Sequence, residues 1–151
     1  EPAEPFDAAV IDFPDPSNYS VGKLYTTLFY RKLAARLAAG AGVAVQCTSP
    51  LFARTSYWCV VRTLEAAGYA VRPYQAAVPS FGVWGFALCR RGGPFPLPTA
   101  LPADLKFLTP AVLPTLFELP PDVGPLPVEV NRLDNQVLVR YHETDWRTYE
   151  K

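Results

Sequence analysis

Hydrophobic runs along the chain change their period in a regular way. Residues 6–12, FDAAVID, are a short apolar run closed by an acid, which predicts a buried parallel strand. Pro14 and Pro16 stop it, because proline cannot donate to a sheet ladder, and a loop follows through Gly22. Over residues 24–38, Leu24, Leu28, Phe29, Leu33 and Leu37 recur near one face while Arg31, Lys32 and Arg36 lie largely elsewhere. That spacing predicts an amphipathic helix with Gly40 as its stop. GVAVQC, residues 42–47, predicts a second buried strand. Ser49-Pro50 has the form of an N-cap followed by a first-turn proline, opening a helix through residue 67. Tyr57, Val60, Val61 and Leu64 would be its inner face, and Gly68 its end. Residues 69–78 and 84–89 predict a third and a fourth strand. The link Pro79–Val83 is too short for a parallel crossover, so these two should be antiparallel neighbours.

Residues 94–127 hold ten of the 17 prolines, which predicts an irregular, stiffened excursion. One or two helical turns are expected near Thr109–Phe117, disturbed by Pro114. In the tail 128–147, the alternation Val137-Leu138-Val139-Arg140-Tyr141 predicts a late edge strand. The sequence has no internal repeat. The order β-α-β-α-β-β is that of an α/β protein, the second half of a doubly wound, Rossmann-like sheet with a reversed last strand. Residues 1–93 would form this half domain, and 94–151 a proline-rich carboxyl-terminal extension packed on it. In a complete sheet the first strand would have a neighbour on each side. Alone, FDAAVID would present an unpaired apolar edge, suited to a homodimer or a missing amino-terminal half.

Composition narrows the functional classes. The 151 residues suit one domain, and with half of them hydrophobic a substantial core can form. Net charge is zero, which argues against a nucleic-acid-binding surface. The charge is unevenly spread, at −5 over residues 1–15, +8 over 16–103 and −3 over 104–151, so the segments are expected to pair within the fold. Cys47, Cys59 and Cys89 are odd in number and form no CxxC motif, which predicts buried thiols in a reducing, cytoplasmic setting. No run approaches the roughly 18 apolar residues of a membrane span. The chain opens Glu1-Pro2-Ala3-Glu4-Pro5 and contains no Met, as expected of a piece of something longer.

Open α/β sheets bind ligands beyond the carboxyl ends of their strands. Asp12 and Asp15 fall there, after the first strand, with Gln46 ending the second. Phe81 and Trp84 come from the hairpin between the last two strands, and Tyr19 and Tyr25 flank the loop after Asp15. Carboxylates and rings together suit an alkylammonium ligand. On spacing alone, Asp12 and Asp15 read first as turn-capping acids. Elsewhere, Phe52, Tyr57 and Trp58 read as core, and His142 as a solvated surface residue in a polar tail. Arg90-Arg91 reads as a solvated strand end. Ser49, Ser56 and Ser80 lack a base at suggestive spacing.

VIDFPDP followed by GKLYTTLFY resembles the spermidine synthase segment in which a buried strand runs into Asp-x-x-Asp-Pro and then a helix. GVAVQCTSP, VPSFGVWGFALC and LKFLTPAVLPTLFELP are similar to that family's Gln-ending strand, its proline-aromatic-glycine hairpin and its Leu-Lys tail segment. The resemblance covers residues 6–121 in order. It is to the carboxyl-terminal half of a polyamine aminopropyltransferase, of a bacterial subgroup whose full-length members often carry membrane-spanning helices and are anchored at the inner membrane. VNRLDNQVLVRYHETDW resembles an extension of that subgroup. The resemblance implies a methyltransferase-type fold and transfer of an aminopropyl group from decarboxylated S-adenosylmethionine, a co-substrate and not a tightly bound cofactor, to putrescine or a similar amine. It makes Asp12 the base and Asp15 the group that orients the amine. It places Gln46 in the polyamine channel and Trp84 in its wall. Phe81 stands where relatives often have Tyr, and Val83 where the subgroup has Glu. The family's nucleotide site lies mainly in its amino-terminal half, on a glycine-rich turn after a strand. Gly40-Ala41-Gly42 precedes a strand instead, and Gly92-Gly93 lies in a loop. The chain is therefore expected to be inactive without that half. Two other readings remain: a non-catalytic module that homodimerises or binds a partner through the open sheet edge, and a methyltransferase-like domain with another acceptor.

Overall fold

The computed structural model describes residues 4–149; the outermost residues of the two predicted segments, 1–3 and 150–151, lie outside the described range. Four strands form one sheet in the order β1-β2-β4-β3: β1 (Phe6–Ile11), β2 (Leu37–Gln46), β3 (Ala70–Val78) and β4 (Gly82–Arg90). β1 and β2 are parallel, whereas β4 runs antiparallel to both β2 and β3. The half-sheet with a reversed strand is therefore present, and β3 and β4 are the expected antiparallel pair. β1 is a terminal strand of this sheet and is not buried as expected: with a neighbour on one side alone, it leaves Phe6 and Val10 59 % and 81 % exposed.

Strand alternation divides the sheet into two faces. Val43 and Val45 of β2 and Ala87 and Cys89 of β4 are fully buried against α3 (Arg54–Ala66) and α2 (Thr27–Ala34). Tyr57, Val60, Val61 and Leu64 of α3 meet them as expected, with Tyr30 of α2. Residues of the other parity, Val10, Ala44, Gln46, Phe86, Trp84 and Tyr74, line an open cleft on the opposite face.

The predicted helix 24–38 is a 3-10 turn (Lys23–Tyr25) followed by α2, and the loop expected before it holds a further short helix, α1 (Tyr19–Gly22). The break falls at Thr26, whose extended backbone and side-chain hydroxyl, accepting from Phe29 N at 3.3 Å, restart the helix. The buried Asn131 amide holds the preceding turn by donating to Gly22 O and Tyr25 O. Leu37 is not helical. It pairs with Phe6 in the sheet, and the register then jumps to Ala8 opposite Gly42. Gly40 sits in the extra residues of that bulge at φ +79°, a backbone region glycine enters without strain, so it shapes a strand and stops no helix.

Ser49 does not open α3. Its Oγ accepts from Leu51 N and Phe52 N and donates to Val83 O at 2.6 Å, closing a turn that precedes the helix. The N-cap is Ala53, which has no side chain to offer. The carboxylate of Asp145 takes that role from a distant element, accepting from Ser56 N at 2.9 Å and Ser56 Oγ at 2.8 Å. Asp145→Ala should therefore lower stability by about 1–2 kcal/mol in urea denaturation, as for loss of a local cap, with Asp145→Asn intermediate. A change below about 0.3 kcal/mol would mean that solvent caps α3 equally well.

The expected late strand is a helix, α5 (Val137–Arg147). Alternation would turn Leu138 away from Val137 and Val139, yet all three are buried, so the run covers a contiguous helical surface with Tyr141 one turn on. Asn residues start it: Asn131 Oδ1 accepts from Leu138 N and Asn135 Oδ1 from Val137 N. Over residues 94–127 the one helix is α4 (Val112–Thr115), which includes Pro114. The stretch is fastened to the sheet and α3: Phe117 packs on Tyr74 beneath Arg72, and Val123 O accepts from Trp58 Nε1. Arg90 is only half-exposed, its Nε donating to Gly93 O, while Arg91 is exposed. No helix among the described residues is long and apolar enough to cross a membrane.

Candidate functional site

The loop after β1 delivers Asp12 and Asp15 to a cleft of about 660 Å³. Gln46 at the end of β2 and Phe81 and Trp84 of the β3–β4 hairpin share it, so five of the seven residues singled out in the sequence come together. Among the described residues, no Lys or Arg lines the cleft, and its only charged side chains are the two carboxylates. Asp12 is exposed, and Asp15 is half-buried between the prolines. The phenol of Tyr25 donates to both Phe13 O and Pro14 O at 3.1 Å, and Ser17 N donates to Asp15 O at 2.7 Å. Proline rings and these bonds fix the backbone that carries both acids.

Tyr19 and Tyr25 do not line the cleft. Tyr19 is exposed on α1, and Tyr25 is buried beneath the loop as its support. Burial, with smaller contributions from Cys47, Asp15 and Asp12, raises the Tyr25 phenol well above its ordinary range, so it remains a donor. Gln46 Oε1 accepts from Thr48 N at 3.2 Å, which orients its amide. Thr48 itself adopts φ +67°, an uncommon conformation for a β-branched residue, and its carbonyl accepts from Gly85 N.

Two aromatic walls were not foreseen. Tyr74 and Phe86 stack at 5.2 Å between centroids and only 20° apart. They are directly opposite in the β3–β4 register, so extending the predicted hairpin outward from its turn would have paired them. His142 was also unforeseen here. Its side chain is 12 % exposed, and Nε2 lies 3.5 Å from Asp15 Oδ2. The expected solvated tail residue is thus a half-buried neighbour of the site, because residues 137–147 form a packed helix and not an edge strand. Asp15 Oδ1 is buried and has no hydrogen-bond partner.

The three cysteines are buried and unbridged. Burial pushes the Cys59 and Cys89 thiols up to about 12, with Cys47 also raised well above its usual value. At pH 8 a thiol of that acidity is about one part in ten thousand thiolate, too little for a nucleophile. An aromatic disulfide reagent should label no cysteine in the folded protein and all three once it is denatured. Prompt labelling of the native protein would contradict this burial.

No protein-family model matches the chain. Curated relatives do. Polyamine aminopropyltransferase 2 of Ralstonia nicotianae is 50 % identical over 145 residues, covering 95 % of this chain. Polyamine aminopropyltransferase of Leptospira interrogans is 49 % identical over 141 residues, 93 % of the chain. Polyamine aminopropyltransferase 1 of Streptomyces coelicolor is 41 % identical over 152 residues, 99 % of the chain. In each case the chain spans 28 % of the relative's length, its carboxyl-terminal part.

Proposed function

Since the chain is homologous over almost its whole length to the carboxyl-terminal part of the polyamine aminopropyltransferases, we propose that its cleft is the amine-binding side of an aminopropyl-transfer site. The observation that carries this reading is a pair of carboxylates, Asp12 and Asp15, sharing a cleft with aromatic walls and, among the described residues, no Lys or Arg. A linear diamine would be recognised there. Ammonium groups pair with carboxylates, and each ring face adds about 0.5–2 kcal/mol for a cation.

The reaction follows from the amine's acidity. An alkylamine resembles Lys, with a pKa of roughly 10, and arrives protonated at pH 7. Asp12 takes that proton. The freed lone pair attacks the methylene carbon beside the sulfonium of decarboxylated S-adenosylmethionine. A C–N bond forms as the C–S bond breaks, the bonding electrons stay on sulfur, and methylthioadenosine departs as a neutral thioether. Asp15 and Gln46 align the amine, while Trp84, Phe81, Tyr74 and Phe86 form the apolar channel for its methylenes. Tyr19 and Tyr25 act at one remove, Tyr25 as the prop of the acidic loop. Groups that hold the adenosine come from the part of the longer protein outside this stretch, which also covers the exposed β1 edge at Phe6 and Val10. The full-length protein supplied with decarboxylated S-adenosylmethionine and putrescine should release methylthioadenosine and a triamine, resolved by chromatography. If no linear diamine supports that release, the reading is wrong.

A further inference from the structure

We propose that His142, on α5, is a positioning residue of this site: through Oδ2 it holds the Asp15 carboxylate in the orientation in which that group meets the substrate's ammonium group. The inference rests on the amine-site reading above. His142 Nε2 and Asp15 Oδ2 are 3.5 Å apart, and both side chains are largely withdrawn from water, at 12 % and 29 % exposure. That separation is ion-pair range, slightly long for a hydrogen bond, and it is the kind of contact that tightens when a ligand fills the site.

The two groups do not meet by accident of a loose tail. α5 is fixed at three points. Asn131 ties its first turn to Gly22 and Tyr25, immediately after the acidic loop. At Gly22 the approach is so close that a Cβ would stand 2.7 Å from Val139 Cγ2, which leaves no room for a side chain. One turn beyond His142's own, Asp145 caps α3. The helix therefore presents His142 at a set distance from Asp15. Six buried side-chain polar atoms lack a hydrogen-bond partner among the described residues, and four belong to Asp15 and to Gln136, His142 and Trp146 of the α5 segment. The backbone of Asp15 is already immobilised by Pro14, Pro16 and Tyr25, which leaves rotation of its carboxylate as the remaining freedom. His142 is the side chain placed to restrict it.

The test uses the full-length enzyme. His142→Leu should raise the KM for the diamine roughly tenfold, the loss of about one well-made polar contact. Its kcat should stay within about threefold, with the KM for the aminopropyl donor unchanged. His142→Gln keeps a side-chain N–H donor and should recover most of the lost affinity. A purely structural role would lower the melting temperature, disturb both substrates together and gain nothing from glutamine; that pattern, or an unchanged diamine KM, overturns the proposal. A second measurement does not depend on the reaction. The imidazole Nε2 resonance of His142, assigned by its disappearance in the foldable His142→Gln protein, should shift in Asp15→Asn and stay in place in Asp12→Asn. An unmoved resonance in Asp15→Asn overturns the proposal even in an active enzyme. If the wild-type enzyme transfers no aminopropyl group, the proposed function fails instead, and the resonance alone decides whether His142 holds Asp15.

Discussion

Asp12→Asn in the full-length protein should cut turnover by two to four orders of magnitude while leaving the fold intact. Asparagine has the same shape and fills the same exposed position after β1, so packing is not at issue. What it lacks is a basic oxygen. With no acceptor for the amine's proton, only the small fraction of diamine already neutral can attack, and general-base assistance of about 10²–10⁴ is lost. The pH dependence should carry the signature. Below an amine pKa of roughly 10, the neutral fraction rises tenfold per pH unit. The residual rate of Asp12→Asn should climb accordingly between pH 7 and 9, more steeply than wild type. Asp15→Asn should act differently, raising the diamine KM more than it lowers kcat. Initial-rate kinetics with both substrates varied separates the two. An Asp12→Asn enzyme that keeps more than a tenth of wild-type turnover at pH 7 would remove Asp12 from the role of base.

The second large effect concerns stability. Asn131 is fully buried and polar, and its side chain makes three hydrogen bonds, donating to Gly22 O at 3.2 Å and Tyr25 O at 3.1 Å and accepting from Leu138 N at 3.2 Å. Its backbone adds two more, N–H to Thr63 Oγ1 and carbonyl from Thr27 N, which any substitution retains. Asn131→Ala would orphan two carbonyls and one N–H in the interior. At about 1–3 kcal/mol for each unsatisfied buried group, partly relieved by relaxation, the expected loss is about 3–5 kcal/mol. Asn131→Leu restores volume but no partner and should be no better. Asn131→Asp offers no donors to the two carbonyls and should be comparable or worse. Urea denaturation should show the midpoint fall at constant slope. A loss under 1 kcal/mol would mean that water reaches all three groups.

The half-sheet was legible because periodicity and turn residues carry most of its information. FDAAVID read correctly as a parallel strand, though not as a buried one, and GVAVQC and the Tyr57–Leu64 inner face read correctly from spacing. The cleft followed from the same source, since strand ends fix which residues share a rim. What escaped the sequence depends on contacts between distant positions. Leu24 to Leu37 has one amphipathic rhythm, yet Asn131 breaks it at Thr26 from more than a hundred residues away. Ser49-Pro50 has every local mark of a helix start, but Ser49 Oγ closes a separate turn and the cap of α3 comes from Asp145. Val137–Tyr141 alternates like a strand and is helical because Asn131 and Asn135 nucleate it against a waiting apolar surface. Tyr25 looked like a wall because it neighbours the loop in sequence; its hydroxyl instead props the loop from beneath. His142 read as solvated for the same reason that α5 read as a strand.

Asn131 joins positions 109 and 106 residues apart, and Asp145 reaches 89 residues back to Ser56. Contacts of that span are slow to form, and a ribosome working at about 5–20 residues per second makes the acidic loop several seconds before the helix that steadies it. Throughout that interval the β1–β2 pair and α3 can assemble, but Gly22 and Tyr25 lack their tie and α3 lacks its cap. A nascent chain would therefore hold a sheet whose acidic loop is still unsecured.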